Sequence, residues 1–116
     1  MHRLFLVALL AAAAPALAAA PQKARPARCE VWSGDSARWR GACLFMAERS
    51  GSFSVRPAKG RFPGDVSVVS VTLTGGGRAE VRGLTRNGIN SRWGEAVRSR
   101  KDPACWEGDD FEVCAR

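Results

Sequence analysis

The 116-residue chain has no tyrosine and a single histidine, His2, which lies in an apolar N-terminal leader. Ser–His–Asp and Cys–His nucleophile systems therefore lack their base in the rest of the chain. No two cysteines stand in C-x-x-C spacing, and with no histidine beyond the leader a zinc site has no donor set. Asp109-Asp110 is the one acidic doublet, but calcium needs a spaced array of oxygen ligands, and none is present. Gly75-Gly76-Gly77 lies between two strand patterns rather than before a helix, so it is a turn and not a phosphate cradle. No cofactor is expected.

The leader has the composition of an export signal. Met1-His2-Arg3 is basic, Leu4 to Leu17 is apolar, and Ala16-Leu17-Ala18 fits the small-x-small rule for cleavage. A signal peptide over residues 1–18 is expected, cut after Ala18, with Ala20 as the alternative. The apolar run is short for a membrane span, so no stable membrane insertion is expected once the signal is removed. Residues 19–28, which include QKARPAR, read as a flexible basic lead-in, and residues 29–116 as a single β domain in the periplasm or outside the cell. The four cysteines then imply two disulfides. Of the three connectivities, the sequence-local one, Cys29–Cys43 with Cys105–Cys114, brackets a plausible hairpin each time. A small exported domain often needs such cross-links.

Net charge is +7, and arginine supplies 15 of the 18 basic residues. Such a balance points first to nucleic acid. Export removes that partner and leaves lipid headgroups, acidic polymers and acidic proteins of the envelope.

The stretch Val66 to Thr85, VSVVSVTLTGGGRAEVRGLT, predicts a β-hairpin. From Val69 onward apolar and polar residues alternate with period two. Val68-Val69 breaks the alternation, and a β-bulge there keeps both apolar sets facing inward. A three-residue glycine loop pairs Thr74 with Arg78, Leu73 with Ala79 and Val71 with Val81. Further strands are expected at Cys29–Trp32, Arg38–Glu48, Ser52–Arg56 and Trp93–Arg100, with a terminal hairpin over Cys105–Cys114. Six to seven short strands with frequent turns indicate an all-β, disulfide-stapled antiparallel barrel or sandwich.

Between Thr85 and Arg92, Asn87-Gly88 signals a type I′ turn. A two-residue turn there puts Glu80 opposite Glu95, and like charges across a pair are destabilising. A longer loop, or a bulge at Gly83, is expected instead. Arg86, Asn87, Asn90, Ser91, Arg92 and Trp93 are the candidate binding residues, because donors on a loop held by a rigid scaffold suit a carboxylate or phosphate partner. Of the four tryptophans at least two are expected in the core, and Trp39, between Arg38 and Arg40, is expected to be the most exposed. Glu80 with Glu95, or Glu107 with Asp109 and Asp110, are the candidate carboxylate pairs for glycoside hydrolysis. All read as surface acids beside surface arginines.

Residues 88–114 resemble the end of the small periplasmic inhibitors of C-type lysozyme. Gly88-Ile89-Asn90-Ser91-Arg92-Trp93-Gly94 stands where that family has a Ser/Gly-rich loop before an aromatic residue. Cys105-Trp106-Glu107-Gly108-Asp109 stands near its second motif, with Glu107 in place of lysine. The resemblance implies a small barrel with Ser91 in the inhibitory position. The residues themselves imply a non-enzymatic exported β domain that binds an envelope polymer or a protein through the 86–93 loop. The alternatives are an inhibitor of a cell-wall hydrolase, a carboxylate-pair glycan hydrolase and a structural envelope protein.

Overall fold

The computed structural model describes Ala8 and residues 23–116. Apart from Ala8, the expected signal peptide and the lead-in up to residue 22 fall outside the described residues. Eight strands follow in order: β1 (Arg25–Ser33), β2 (Trp39–Ala47), β3 (Phe53–Pro57), β4 (Val66–Gly75), β5 (Arg78–Thr85), β6 (Asn90–Arg98), β7 (Cys105–Glu107) and β8 (Phe111–Ala115). Each pairs antiparallel with the next, and β8 returns to pair with β1, so the sheet closes into a barrel. At the closing ladder Arg28 and Arg116 exchange both backbone hydrogen bonds, at 3.0 and 2.8 Å.

Eight strands replace the six or seven expected. Each expected segment is present, and counting both arms of the terminal hairpin, with β7 only three residues long, makes eight. β1 also begins earlier than expected. Arg25 to Arg28 pair with Phe45 to Ala42 of β2, so these four residues belong to the barrel and not to a flexible lead-in.

The barrel interior takes alternate residues from every strand. Val31, Val55, Val69, Val71, Val81 and Val113 are fully buried there and Phe111 nearly so. The Cys29–Cys43 disulfide lies among them and joins β1 to β2. Cys105–Cys114 joins β7 to β8 at directly opposed positions. Both bridges are those expected, and two disulfides are compatible with an extracellular or periplasmic location.

The central hairpin keeps the expected register through Val71↔Val81 and Leu73↔Ala79. Its tip differs. Gly75, not Thr74, pairs with Arg78, and Thr74 is bulged. Gly76 and Gly77 form a two-residue turn at φ +61° and +71°, a conformation that glycine adopts without steric cost. The second irregularity falls at Ser67, between the pairs Val66↔Thr85 and Val68↔Leu84. That bulge, one residue earlier than Val68-Val69, buries both Val66 and Val69.

β5 and β6 keep Glu80 opposite Glu95, the register that charge repulsion argued against. Arginines resolve the conflict. Arg78 Nη1 lies 2.6 Å from Glu95, and Arg82 and Arg92 lie 3.0 and 3.4 Å from Glu80. The loop itself spans Arg86 to Gly88. The Gly88 N–H donates to the Thr85 carbonyl at 3.0 Å, and the Thr85 N–H to the Ile89 carbonyl at 2.9 Å. The longer loop shifts the register by one residue. A bulge at Trp93, between Arg82↔Arg92 and Val81↔Gly94, shifts it back. The bulge therefore lies on β6 and not at Gly83. Gly83 has a different part: a Cβ there would stand 2.7 Å from the Trp93 indole.

Trp39 is half-buried rather than exposed. It pairs with Val31 on the inner face and meets Phe62 edge-on at 4.9 Å between ring centres. Its neighbours Arg38 and Arg40 point outward to Glu30, and Arg38 also bonds Glu112 at 2.9 Å. Trp106 is buried, and Trp93 packs against the core.

Candidate anion-binding site at one end of the barrel

The strand order fixes what each end of the barrel carries. One end holds the connections 34–38, 58–65, 86–89 and 108–110. The other holds 48–52, 76–77 and 99–104, together with the start of β1 and the end of β8.

Arg86, Asn87, Asn90, Ser91 and Arg92 lie at the first end and are exposed. The Arg86 N–H donates to the Asp65 carbonyl at 3.1 Å, which ties this loop to the 58–65 connection. Arg92 is engaged with Glu80, and Trp93 turns inward over Gly83. The six residues thus divide between surface and core. Ser91 and Glu107, which carry the lysozyme-inhibitor resemblance, lie on neighbouring strands. Glu107 pairs with Val97, however, and the six positions from Ser91 to Val97 span about 20 Å of strand.

The opposite end carries the larger feature. A cleft of about 650 Å³ lies between the Gly76–Gly77 turn and the segment from Val97 to Lys101. Arg78, Arg98, Arg100 and Lys101 line it, with Glu107 as its only carboxylate. Val97, 46 % exposed, adds apolar surface. The Arg98 N–H donates to the Gly77 carbonyl at 2.8 Å, so the walls are held at a fixed spacing. Arg98 is further positioned by its Nε, which donates to the Pro103 carbonyl at 2.9 Å, and its guanidinium stands 5.4 Å over the Trp106 ring. Among the described residues Arg98, Arg100 and Lys101 enter no ion pair.

The loop behind the cleft is braced by Asp102. Its carboxylate accepts both Arg116 Nη groups and the Ala104 N–H at 3.2 Å. The Arg116 hydrogen bond holds the Asp102 carboxyl below its ordinary value of 3.8, and Asp102 raises Arg116 in return. A depressed carboxyl stabilises the fold above its unfolded value and loses that contribution as pH falls through its folded value. In a carboxyl NMR titration Asp102 is therefore expected to titrate below 3.8, and Arg116→Ala to return it upward. An unchanged midpoint in the variant would remove the assigned cause.

The other chemistries have less to work with. Glu80 and Glu95 are each bound by arginine. Among the described residues the one group with metal-ligand spacing is Cys105, Glu112 and Cys114, and its two sulfurs are joined to each other. The cleft is not among the sites expected from the sequence, because its two walls come from separate segments. The run Arg98-Ser99-Arg100-Lys101 at a strand end was the available signal. No family model, curated protein or solved structure matches this chain.

Proposed function

We propose that this protein is an exported, non-enzymatic binding module that holds an anionic envelope polymer in the cleft between Gly76 and Lys101. One observation carries the reading: four cationic side chains converge on one cleft with a single carboxylate among them. Among the described residues three of the four have no carboxylate partner, so their charge is available to a ligand without breaking an ion pair. The packed barrel supports a role as scaffold, since its interior is occupied by its own side chains. Several cations lining one cleft suit a chain of repeated negative charges and raise its encounter rate. Such binding weakens as salt rises.

The test uses fluorescence anisotropy with labelled inorganic polyphosphate as probe. Arg100→Ala/Lys101→Ala removes two exposed charges that hold no part of the fold. Affinity is expected to fall at least about tenfold, since a hydrogen bond to a charged group contributes about 1.5–3 kcal/mol and ten-fold is about 1.4. Arg86→Ala/Arg92→Ala at the opposite end is expected to change it less than about twofold. The reverse pattern would move the site to the 86–93 loop, and equal binding by all three proteins would sink both placements.

A further inference from the structure

A second pocket, of about 290 Å³, opens at the mouth of the same barrel end and shares Arg98 with the cleft. Its character is different. Phe45, Phe53, Leu73 and Trp106 line it, with Arg25 and Arg98 among them. Phe45 and Phe53 stack at 5.0 Å between ring centres. Each arginine lies over an aromatic ring, Arg25 at 4.4 Å from the Phe45 centroid and Arg98 at 5.4 Å from that of Trp106. Neither has a carboxylate partner among the described residues. An arginine without a carboxylate partner is common on a surface. Two of them, each over an aromatic ring of one pocket, make a specific combination.

We infer that this mouth binds the short acyl chain of an anionic amphiphile, with its carboxylate or phosphate head between Arg25 and Arg98. The inference rests on the proposed anion-binding end and names what the second pocket there takes. The aromatic and leucine side chains offer contact to methylenes, and the arginines fix the head at the rim. A purely polar anion gains nothing from Phe45, Phe53 and Leu73. A neutral or cationic amphiphile gains nothing from the two guanidinium groups.

The experiment titrates the intact protein with monomeric butanoate, hexanoate, octanoate and octyl phosphate, following the Trp106 indole N–H by NMR. Each added methylene that is buried strengthens binding about fourfold, the change that about 0.8 kcal/mol gives. A rise along the series that levels off once the pocket is full is expected, and it needs no variant. Octyltrimethylammonium is expected not to shift the Trp106 signal. Arg25→Ala and Arg98→Ala are each expected to weaken octanoate about tenfold. Flat affinity along the series, or equal binding of the cationic amphiphile, overturns the inference. Octanoate and octyl phosphate together separate a carboxylate source from a phosphate one. Polyphosphate bound without octanoate would leave the cleft reading standing and remove the acyl pocket. Octanoate bound without polyphosphate would do the opposite.

Discussion

Phe111→Ala is expected to lower the stability of the barrel by about 3–5 kcal/mol, the range for a fully buried phenylalanine whose cavity collapses only in part. Phe111 is 2 % exposed and opens β8. Its position explains why its site should collapse poorly. β6 and β7 share only two paired positions, Val97↔Glu107 and Arg98↔Trp106. The nine-residue β6 therefore runs on without a β7 neighbour over residues 90–96. The Phe111 ring fills that gap in place of a strand. It lies 5.9 Å from the Trp93 ring, stands 3.5 Å from where a Cβ on Gly94 would be, and leaves Gly108 no room for a side chain. Truncation removes packing from the thinnest ladder of the barrel. Urea denaturation followed by tryptophan fluorescence reads the loss. A cost under about 1.5 kcal/mol would mean that β6 and β8 close the gap by themselves.

The second large effect is expected from the cross-link between β1 and β2. Cys29→Ala/Cys43→Ala should cost about 2–5 kcal/mol. Cys105→Ala/Cys114→Ala should cost less. Sequence separations are 14 and 9. By the chain-entropy relation this difference separates the two by under about 0.5 kcal/mol. Packing sets the rest. Cys29 and Cys43 belong to the interior cluster with Val31 and Val55, whereas Cys105 and Cys114 stand outside it. Removing the first pair therefore also leaves a void inside the barrel, where each missing atom is felt. Parallel denaturation of the two double variants decides the order. An equal or greater cost for the Cys105–Cys114 pair would show that the interior bridge contributes no packing beyond its cross-link.

Much of this fold is legible in the sequence, and the parts that are not share a cause. The alternation from Val69 to Val81 is local, and it gave the right register because β4 and β5 are joined by a turn of glycines. The disulfide pairing was legible for the same reason. Trp39 follows the period-two alternation and not the polarity of its neighbours: Arg38 and Arg40 face outward, so the residue between them faces inward beside Val31. The Glu80–Glu95 pair was argued against on two charges, when the structure brings three arginines to them. A bulge at Trp93 was hidden because its reason, the space over Gly83, lies across the sheet.

The candidate site follows the same rule. The 86–93 loop stands out in sequence because its polar residues are contiguous. The cleft at the other end is assembled from Gly76–Arg78 and Val97–Lys101, about twenty residues apart, and neither piece exceeds a charged turn when read alone. The acyl pocket draws on β1, β2, β3, β4, β6, β7 and β8 together, so nothing in the linear order foreshadows it.

The closing ladder between Arg28 and Arg116 has a consequence for how the molecule is made. A chain delivered amino end first presents Cys29 and Cys43 well before Cys105 and Cys114. Oxidation in the order of emergence would join each cysteine to its native partner, since both bridges are local in sequence. Every ladder but one joins strands adjacent in sequence. The one exception joins β1 to β8, each cross-linked to its own neighbour, so the barrel is closed by the pairing of two stapled ribbons.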